Sequence, residues 1–299
     1  MVNVDAVFAG GGVKAFAFVG AIEVAESKGL KFQRIAGTSA GSIIAAFLMA
    51  GYTGKELREL LDELNVEQMK DERFSALPFP VTKWINLYFR QGLYKGDALE
   101  EWLKERLAAK GVRTFGDLPE GSLRVVVSDL TQGKMVVLPD DLKSYGIAAR
   151  NFSVARAIRM SCGIPFFYEP VKLYNKAMSR HPSYIVDGAL LSNFPMWLFK
   201  DGRRGGWPRP VIGFQLSPQD EVRPKSEMKN AIDMYKAVFG TMTSAHDKRY
   251  ISEEHAKNIV FIPIKEVKAT NFEISEEEKE ELILLGSEKT KKFMKTWSL

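Results

Sequence analysis

The opening fifty residues constrain the fold most, because they pass twice from an apolar strand through a turn of small residues into an apolar helix. Val2–Phe8 reads as a short buried strand running into Gly10-Gly11-Gly12. From Lys14 to about Lys28 the pattern is helical and heavily apolar, and Gly29 supplies a C-terminal stop. A second short strand around Gln33–Ala36 enters Gly37-Thr38-Ser39-Ala40-Gly41, and a helix follows from Ser42 to Ala50. Strand, helix, strand, turn, helix is a right-handed crossover unit, which argues parallel strands covered by helices on both faces. The expected fold class is therefore α/β, a three-layer α/β/α arrangement with a mainly parallel central sheet. Both glycine-rich turns then fall at the carboxyl ends of adjacent strands, the edge of open α/β sheets where ligands bind.

The alternation continues downstream. Lys55–Leu64 and Asp97–Ala109 have the pattern of amphipathic helices, and LRVVVSDLTQGKMVVLP reads as two strands joined by a turn at Thr131-Gln132-Gly133. SYIVDGALLSNFP is a strand ending in a polar turn at Asp187-Gly188; PVIGFQL and NIVFIPI are later strands, with Lys225–Ala245 helical between them. Ser275–Trp297 is a helix with acids first and lysines last, which complements its dipole. No linker rich in Pro, Gly or Ser interrupts this order, and 45% hydrophobic residues suffice for a substantial core. One domain over residues 1–299 is expected, with the strand and helices of 210–299 packed on the part that precedes them.

Lys and Arg number 42 against 37 Asp and Glu, and the resulting +5 suits anionic lipid or nucleic acid without selecting either. A solubilising surface charge explains it equally well. The single cysteine, Cys162, excludes an intrachain disulfide and fits a reducing cytoplasm. MVNVDAVFAGGG lacks the basic region and long apolar run of a signal peptide, and GSIIAAFLMAGY falls far short of the roughly 20 residues of a membrane span. The expectation is a cytoplasmic chain, peripheral where it meets a membrane.

AGGGVKA, from Ala9 to Ala15, admits two chemistries. Gly10, Gly12 and Ala15 satisfy the G-x-G-x-x-G/A spacing of a dinucleotide-binding turn. That use requires an acid at the end of the second strand for a ribose hydroxyl, and IAGTSAG has none. Alternatively, glycine N–H groups backed by the helix N-terminus stabilise an oxyanion formed at Ser39, since Gly37-x-Ser39-x-Gly41 has the spacing of a nucleophile elbow. A nucleophilic Ser39 needs a base. Asp187 with His246 or His255 follows the chain order of a Ser-Asp-His triad, yet both histidines sit in the polar, helical stretch TMTSAHDKRYISEEHAKN. His181 lies in a loop, and an Asp before Gly is also a common turn residue. On these residues alone a hydrolase, a nucleotide-binding module and a purely structural glycine turn all stay open.

Taken together and in this order, the motifs resemble those of the bacterial patatin-like phospholipases, serine acyl hydrolases with a Ser-Asp dyad. Gly10-Gly11-Gly12-Val13-Lys14 is similar to the family's G-G-G-x-R/K oxyanion motif, Gly37–Gly41 to its elbow, and Asp187-Gly188-Ala189 to its D-G-A/G motif. SCGIPFFYEPV, Ser161–Val171, resembles the family's segment around Ile-Pro and a following Pro-Val, and VSDLTQGK its inner hairpin. The likeness runs from about Asp5 to Pro195 and more faintly to the last helix; Ala15 departs from it, where the family usually has Gly. The resemblance implies Ser39 as nucleophile and Asp187 as base, with oxyanion donors among Gly10, Gly11, Gly12 and Ala40. Lys14, Gly37, Gly41 and Gly188 support the motifs. It further implies two-step acyl transfer on a phospholipid or other acyl lipid, with no cofactor, metal or nucleic-acid partner, and an Asp187 carboxyl raised by burial.

A lipid substrate comes from a membrane or micelle, which draws notice to two aromatic segments. In Phe74–Tyr94, which carries Lys83 and Arg90, Trp84 and Tyr88 are spaced by four and are expected to pack a lid helix on the core. Phe194–Pro210 mixes Trp197, Phe199 and Trp207 with Arg203, Arg204 and Arg209, and suits core and lipid surface about equally.

Overall fold

The computed structural model describes residues 1–63, 69–71, 86–174, 181–200, 207–218, 234, 237–242, 256–264 and 274–297. Val2–Phe8 (β1) pairs in parallel with Leu30–Thr38 (β2), and Phe16–Ser27 (α1) crosses between them. Nine of the twelve α1 residues are buried, so the helix is apolar all round and lies between two layers. The chain reaches it through a 3₁₀ turn, Gly12–Ala15, and leaves it through Gly29 at φ +77°. Ala40–Met49 (α2) starts on the residue after Ser39, two positions earlier than expected, which makes Ser39 itself the N-cap.

Val211–Pro218 (β9) extends the sheet on the far side of β1, and Ile259–Ile264 (β10) follows it, both in parallel. Leu123–Asp129 (β4) lies parallel to β2, so five consecutive strands share one direction. Parallel strands covered on both faces have continuous apolar runs. On one face Phe8 stacks on Phe214 with ring centroids 4.9 Å apart and meets Phe18 of α1 edge-on at 5.4 Å. On the other, Phe194 and Met196 press on Gly213.

The expected LRVVVSDLTQGKMVVLP hairpin is present as β4 and Lys134–Leu138 (β5). Gly54–Asp62 (α3), Gly92–Tyr94 (β3), Asp97–Ala109 (α4), Val154–Ser161 (α5), Phe166–Tyr168 (β6), Val171–Leu173 (β7), Ser183–Asp187 (β8) and Glu276–Thr296 (α6) complete the regular elements. In α5, buried Arg159 has no carboxylate partner among the described residues; it donates to the carbonyls of Gly96 (3.0 Å), Glu169 (2.9 Å) and Lys95. Its guanidinium lies 4.7 Å from the Tyr168 ring centre, so the small β3–β6 sheet is fastened to α5. The last helix begins with a capping box between Ser275 and Glu278. It crosses α1 in backbone contact: a Cβ at Gly20 would collide with the Ile283 carbonyl, and one at Gly286 with that of Ala17.

Two expectations change. Tyr88 does not pack inward: Asn86–Arg90 is a single π-helical turn one residue before β3. Tyr88 is 79% exposed and packs edge-on against its neighbour Phe89; Trp84 lies outside the described residues. The described part of Phe194–Pro210 belongs mainly to the core. Phe194, Met196 and Phe199 are buried, Arg34 lies over Phe199 at 5.0 Å, and Arg209 joins Arg34 on the buried Asp5 carboxylate. Arg203 and Arg204 lie outside the described residues, as does most of Lys225–Ala245, of which residues 237–242 are helical. Among the described residues no helix is long and apolar enough to cross a membrane.

The contact between α1 and α6 leaves no room for a methyl group. Gly286→Ala is expected to lower stability by about 1–3 kcal/mol, as overpacking does, read as a reduced urea midpoint with an unchanged m-value.

Candidate active site

The site originates in how the two edges of β4 are used. One edge carries β5, antiparallel, from Val125 to Asp129. The other edge is divided: β2 occupies it from Leu123 to Val126, and β8 occupies it from Val127 to Asp129 in the opposite direction. β4 projects three residues beyond the end of β2, and β8 descends antiparallel along that overhang. The two strands thus run toward each other and stop on consecutive rungs, Thr38 at Val126 and Asp187 at Val127. The sequence places the Asp187 turn near the other two turns. Its strand direction comes from this overhang, which has no sequence signature.

Ser39 follows Thr38 at φ 52° and ψ −131°, a backbone that side chains disfavour by about 1–3 kcal/mol. Neighbouring backbone holds it there. A Cβ at Gly37 would strike Gly41, and one at Gly41 would strike the Phe8 and Ala9 carbonyls, so the ends of β1 and β2 and the start of α2 touch without side chains. The Ser39 N–H donates to Ser161 Oγ (2.8 Å), whose hydroxyl donates to the Val126 carbonyl (2.7 Å). The Ser39 carbonyl accepts from Ser42 Oγ at 2.6 Å and from the Ser42 N–H at 2.8 Å.

Across the gap, Ser39 Oγ donates to Asp187 Oδ2 at 2.7 Å. Asp187 Oδ1 accepts the Ala189 N–H at 2.8 Å, and the Asp187 N–H donates to the Gly163 carbonyl at 2.9 Å. Gly188 passes so close to the Val126 carbonyl that a Cβ would overlap it. Thr38 Oγ1 donates to the Ser192 carbonyl (3.0 Å), fastening the turn after β8 to the end of β2. Both members of the pair are buried, Ser39 at 7% and Asp187 at 1% exposure.

Burial raises the Asp187 carboxyl from its ordinary 3.8 to about 7, against the opposing pull of the bonds from Ala189 and Ser39. Cys162, also buried beside the pair, has its thiol pushed up by burial and by the Asp187 charge.

The triple-glycine turn stands next to this gap. Gly10 donates its N–H to the Asn193 carbonyl at 3.3 Å, and a Cβ there would meet Asn193 and Ser39, so this glycine also sets the spacing of the turn. Among the described residues no acceptor takes the N–H of Gly11, Gly12 or Ala40. Lys14 is half-buried within the 3₁₀ turn. His181 is exposed before β8, and His246 and His255 lie outside the described residues. Asn193 carries no sequence signal for its role, and Ser161, although it opens the segment SCGIPFFYEPV, carries none that points to Ser39. Ser161 is one serine near the end of an amphipathic helix, and only the tertiary fold brings it under Ser39.

Residues 6–200 match the model of the patatin-like phospholipase family, and the chain belongs to that family. Membership makes it a lipid ester hydrolase at the level of the family. The chain is 50% identical over 295 residues to the uncharacterized protein YqhO of Bacillus subtilis strain 168, covering 99% of each. It is 24% identical over 295 residues to the uncharacterized protein R571 of Acanthamoeba polyphaga mimivirus, covering 94% of this chain and 90% of that one. In fold it is similar to VipD from Legionella pneumophila, with a TM-score of 0.58 and 16% identity over 98% of this chain and 67% of VipD. The type III effector ExoU of Pseudomonas aeruginosa gives a TM-score of 0.54 and 14% identity over 99% of this chain, which spans about half of ExoU, 53%. At such identities the two structures speak for the fold alone.

Two expectations follow from the geometry. Between pH 3.8 and about 7 the folded state keeps the Asp187 proton that the unfolded state has released. Stability therefore falls as pH rises through that window, by a total on the order of 4 kcal/mol at most. Asp187→Asn removes this penalty, so its denaturation midpoint should exceed that of the wild type at pH 8 and match it at pH 4. Ser161→Ala leaves the Ser39 N–H and the Val126 carbonyl buried without their present partner. A loss of about 1–3 kcal/mol in stability and a fall in kcat of about 10–100-fold at constant KM are expected from denaturant titration and ester turnover.

Proposed function

We propose that the protein hydrolyses fatty acyl esters of phospholipids or related lipids, in the manner of a phospholipase A or lysophospholipase, through a Ser39–Asp187 dyad and an acyl-enzyme. The observation that carries this reading is the direct 2.7 Å hydrogen bond from the Ser39 hydroxyl to a buried carboxylate, with no imidazole between them. An ordinary aspartate is a weak base, and one raised to about 7 is matched to proton transfer near neutrality.

In the first step Ser39 Oγ attacks the ester carbonyl carbon while its proton passes to Asp187 Oδ2. The developing oxyanion is held by N–H groups of Gly11, Gly12 and Ala40, donors of a kind worth on the order of 3 kcal/mol each. Collapse of the tetrahedral species breaks the ester C–O bond, and the departing alcohol takes the proton from Asp187. Water then attacks the acyl-enzyme, gives a proton to Asp187 as it does so, and releases the fatty acid as Ser39 recovers its hydrogen. No step calls for a metal or cofactor, and the lipid is drawn from a membrane or micelle surface. The same reading takes residues 1–299 as one domain, a view supported by the backbone contact of α6 with α1.

Ser39→Ala and Asp187→Asn are each expected to reduce turnover of a water-soluble ester by at least about 1,000-fold. His246→Ala and His255→Ala should leave it unchanged, and a fluorophosphonate should label Ser39. Since the base must be ionised, kcat should rise about tenfold per pH unit below about 7 and level off above it. Loss of activity with either histidine variant contradicts the dyad.

A further inference from the structure

We propose that Tyr88, Phe89, Leu130 and Phe166 form the surface by which the protein docks on an anionic bilayer, with Arg90 and Lys172 meeting the lipid phosphates. The proposal rests on reading the neighbouring site as one that takes lipids. Among the described residues most large apolar side chains are buried, and Tyr88 (79%), Phe89 (74%), Leu130 (49%) and Phe166 (47%) are among those that are exposed. Exposed apolar side chains gathered on one surface mark an interaction site, whereas scattered ones do not.

Two of these line one cavity, and the other two precede its wall in the chain. Leu130 and Phe166 line a cavity of about 380 Å³ together with Gln91, Pro165, Tyr184 and Val186. β3 and β6 start on the same rung, Gly92 opposite Phe166, and the π-helical turn carrying Tyr88 and Phe89 ends at Arg90, next to Gln91 of the cavity wall. Gln91, one residue before that rung, and Phe166, on it, both hold left-handed backbone, at φ 63° and 64°. Side-chain-bearing residues rarely adopt this conformation, and here it is paired at the mouth of a single cavity.

The surface and the proposed dyad are neighbours in the chain. Val186, on the cavity wall, precedes Asp187, and Gly163, which binds the Asp187 N–H, is three residues before Phe166. Its charge suits an anionic surface: Arg90 and Lys172 are exposed, Lys172 Nζ lies 5.5 Å from the Tyr184 ring centre, and no acidic residue lines the cavity. Aromatic rings favour the headgroup level of a bilayer, and neighbouring cations are drawn to anionic lipid. That combination distinguishes a bilayer from a second copy of the chain, which would bring like charges together.

The test is co-sedimentation of the full chain with vesicles of phosphatidylcholine, with and without 30% phosphatidylglycerol as a chosen composition of about that value. Turnover of a water-soluble short-chain ester is measured alongside in the absence of vesicles. Wild type and Ser39→Ala should both bind the anionic vesicles. A Tyr88→Ser, Phe89→Ser variant should bind them at least about tenfold more weakly, with ester turnover unchanged. Arg90→Gln with Lys172→Gln should remove the preference for anionic vesicles. Undiminished binding by the aromatic variant overturns the proposal. So does a parallel loss of ester turnover, or a dimer-to-monomer change in light scattering with vesicle binding intact. Rim-dependent vesicle binding by a protein that hydrolyses no ester supports the docking surface and sinks the acyl-hydrolase reading instead.

Discussion

One edge of β4 is shared by two strands that meet head to head, and the site depends on what happens at that junction. A regular ladder is impossible where β2 turns away and β8 arrives from the opposite direction. Backbone groups stranded there must still be paired, because a buried donor or acceptor without a partner is strongly disfavoured. Ser161 solves this with one hydroxyl, accepting the Ser39 N–H and donating to the Val126 carbonyl. Gly188 solves it with the absence of a side chain, and Thr38 by reaching the Ser192 carbonyl. The Ser39–Asp187 hydrogen bond spans a gap whose width is set by these contacts, so its geometry is imposed by the sheet rather than by the pair.

The same burial that closes the junction supplies its electrostatics. Among the described residues no cation pairs with Asp187; its partners there are a hydroxyl and a backbone N–H, too little to offset desolvation. The carboxyl therefore retains its proton to nearly neutral pH, at the expense of stability once it ionises. Stability and ionisation are opposed at this residue, as they are at many sites whose groups are held away from their ordinary ionisation. The strained Ser39 backbone adds a second local loss, sustained by the contacts of Gly37 and Gly41 and by the long core on either side of the sheet.

Local pattern carried much of this. The βαβ start, the β4–β5 hairpin and the last helix are legible because each is set by periodicity and turn residues over a short span. Ser39 and Asp187 are legible because three short motifs occur together in a particular order. What stayed hidden is tertiary. The antiparallel entry of β8 depends on how far β4 overshoots β2, and Ser161 matters only because α5 brings it beneath Ser39. The bond from the Gly10 N–H to the carbonyl of Asn193, far along the chain, is likewise tertiary. Tyr88 misled for a different reason: a spacing of four implies an inward face only in an α-helix, and the local turn is π-helical.

The central claim is that Ser39 and Asp187 form one buried hydrogen-bonded pair whose carboxyl titrates near neutrality. Carbon NMR of aspartate-labelled protein, with Asp187→Asn to assign the resonance, measures that titration directly. A midpoint near 7 is expected, moving upward in Ser39→Ala, where the bond that favours the charged carboxylate is gone. A midpoint near the ordinary 3.8, unmoved by Ser39→Ala, contradicts the account.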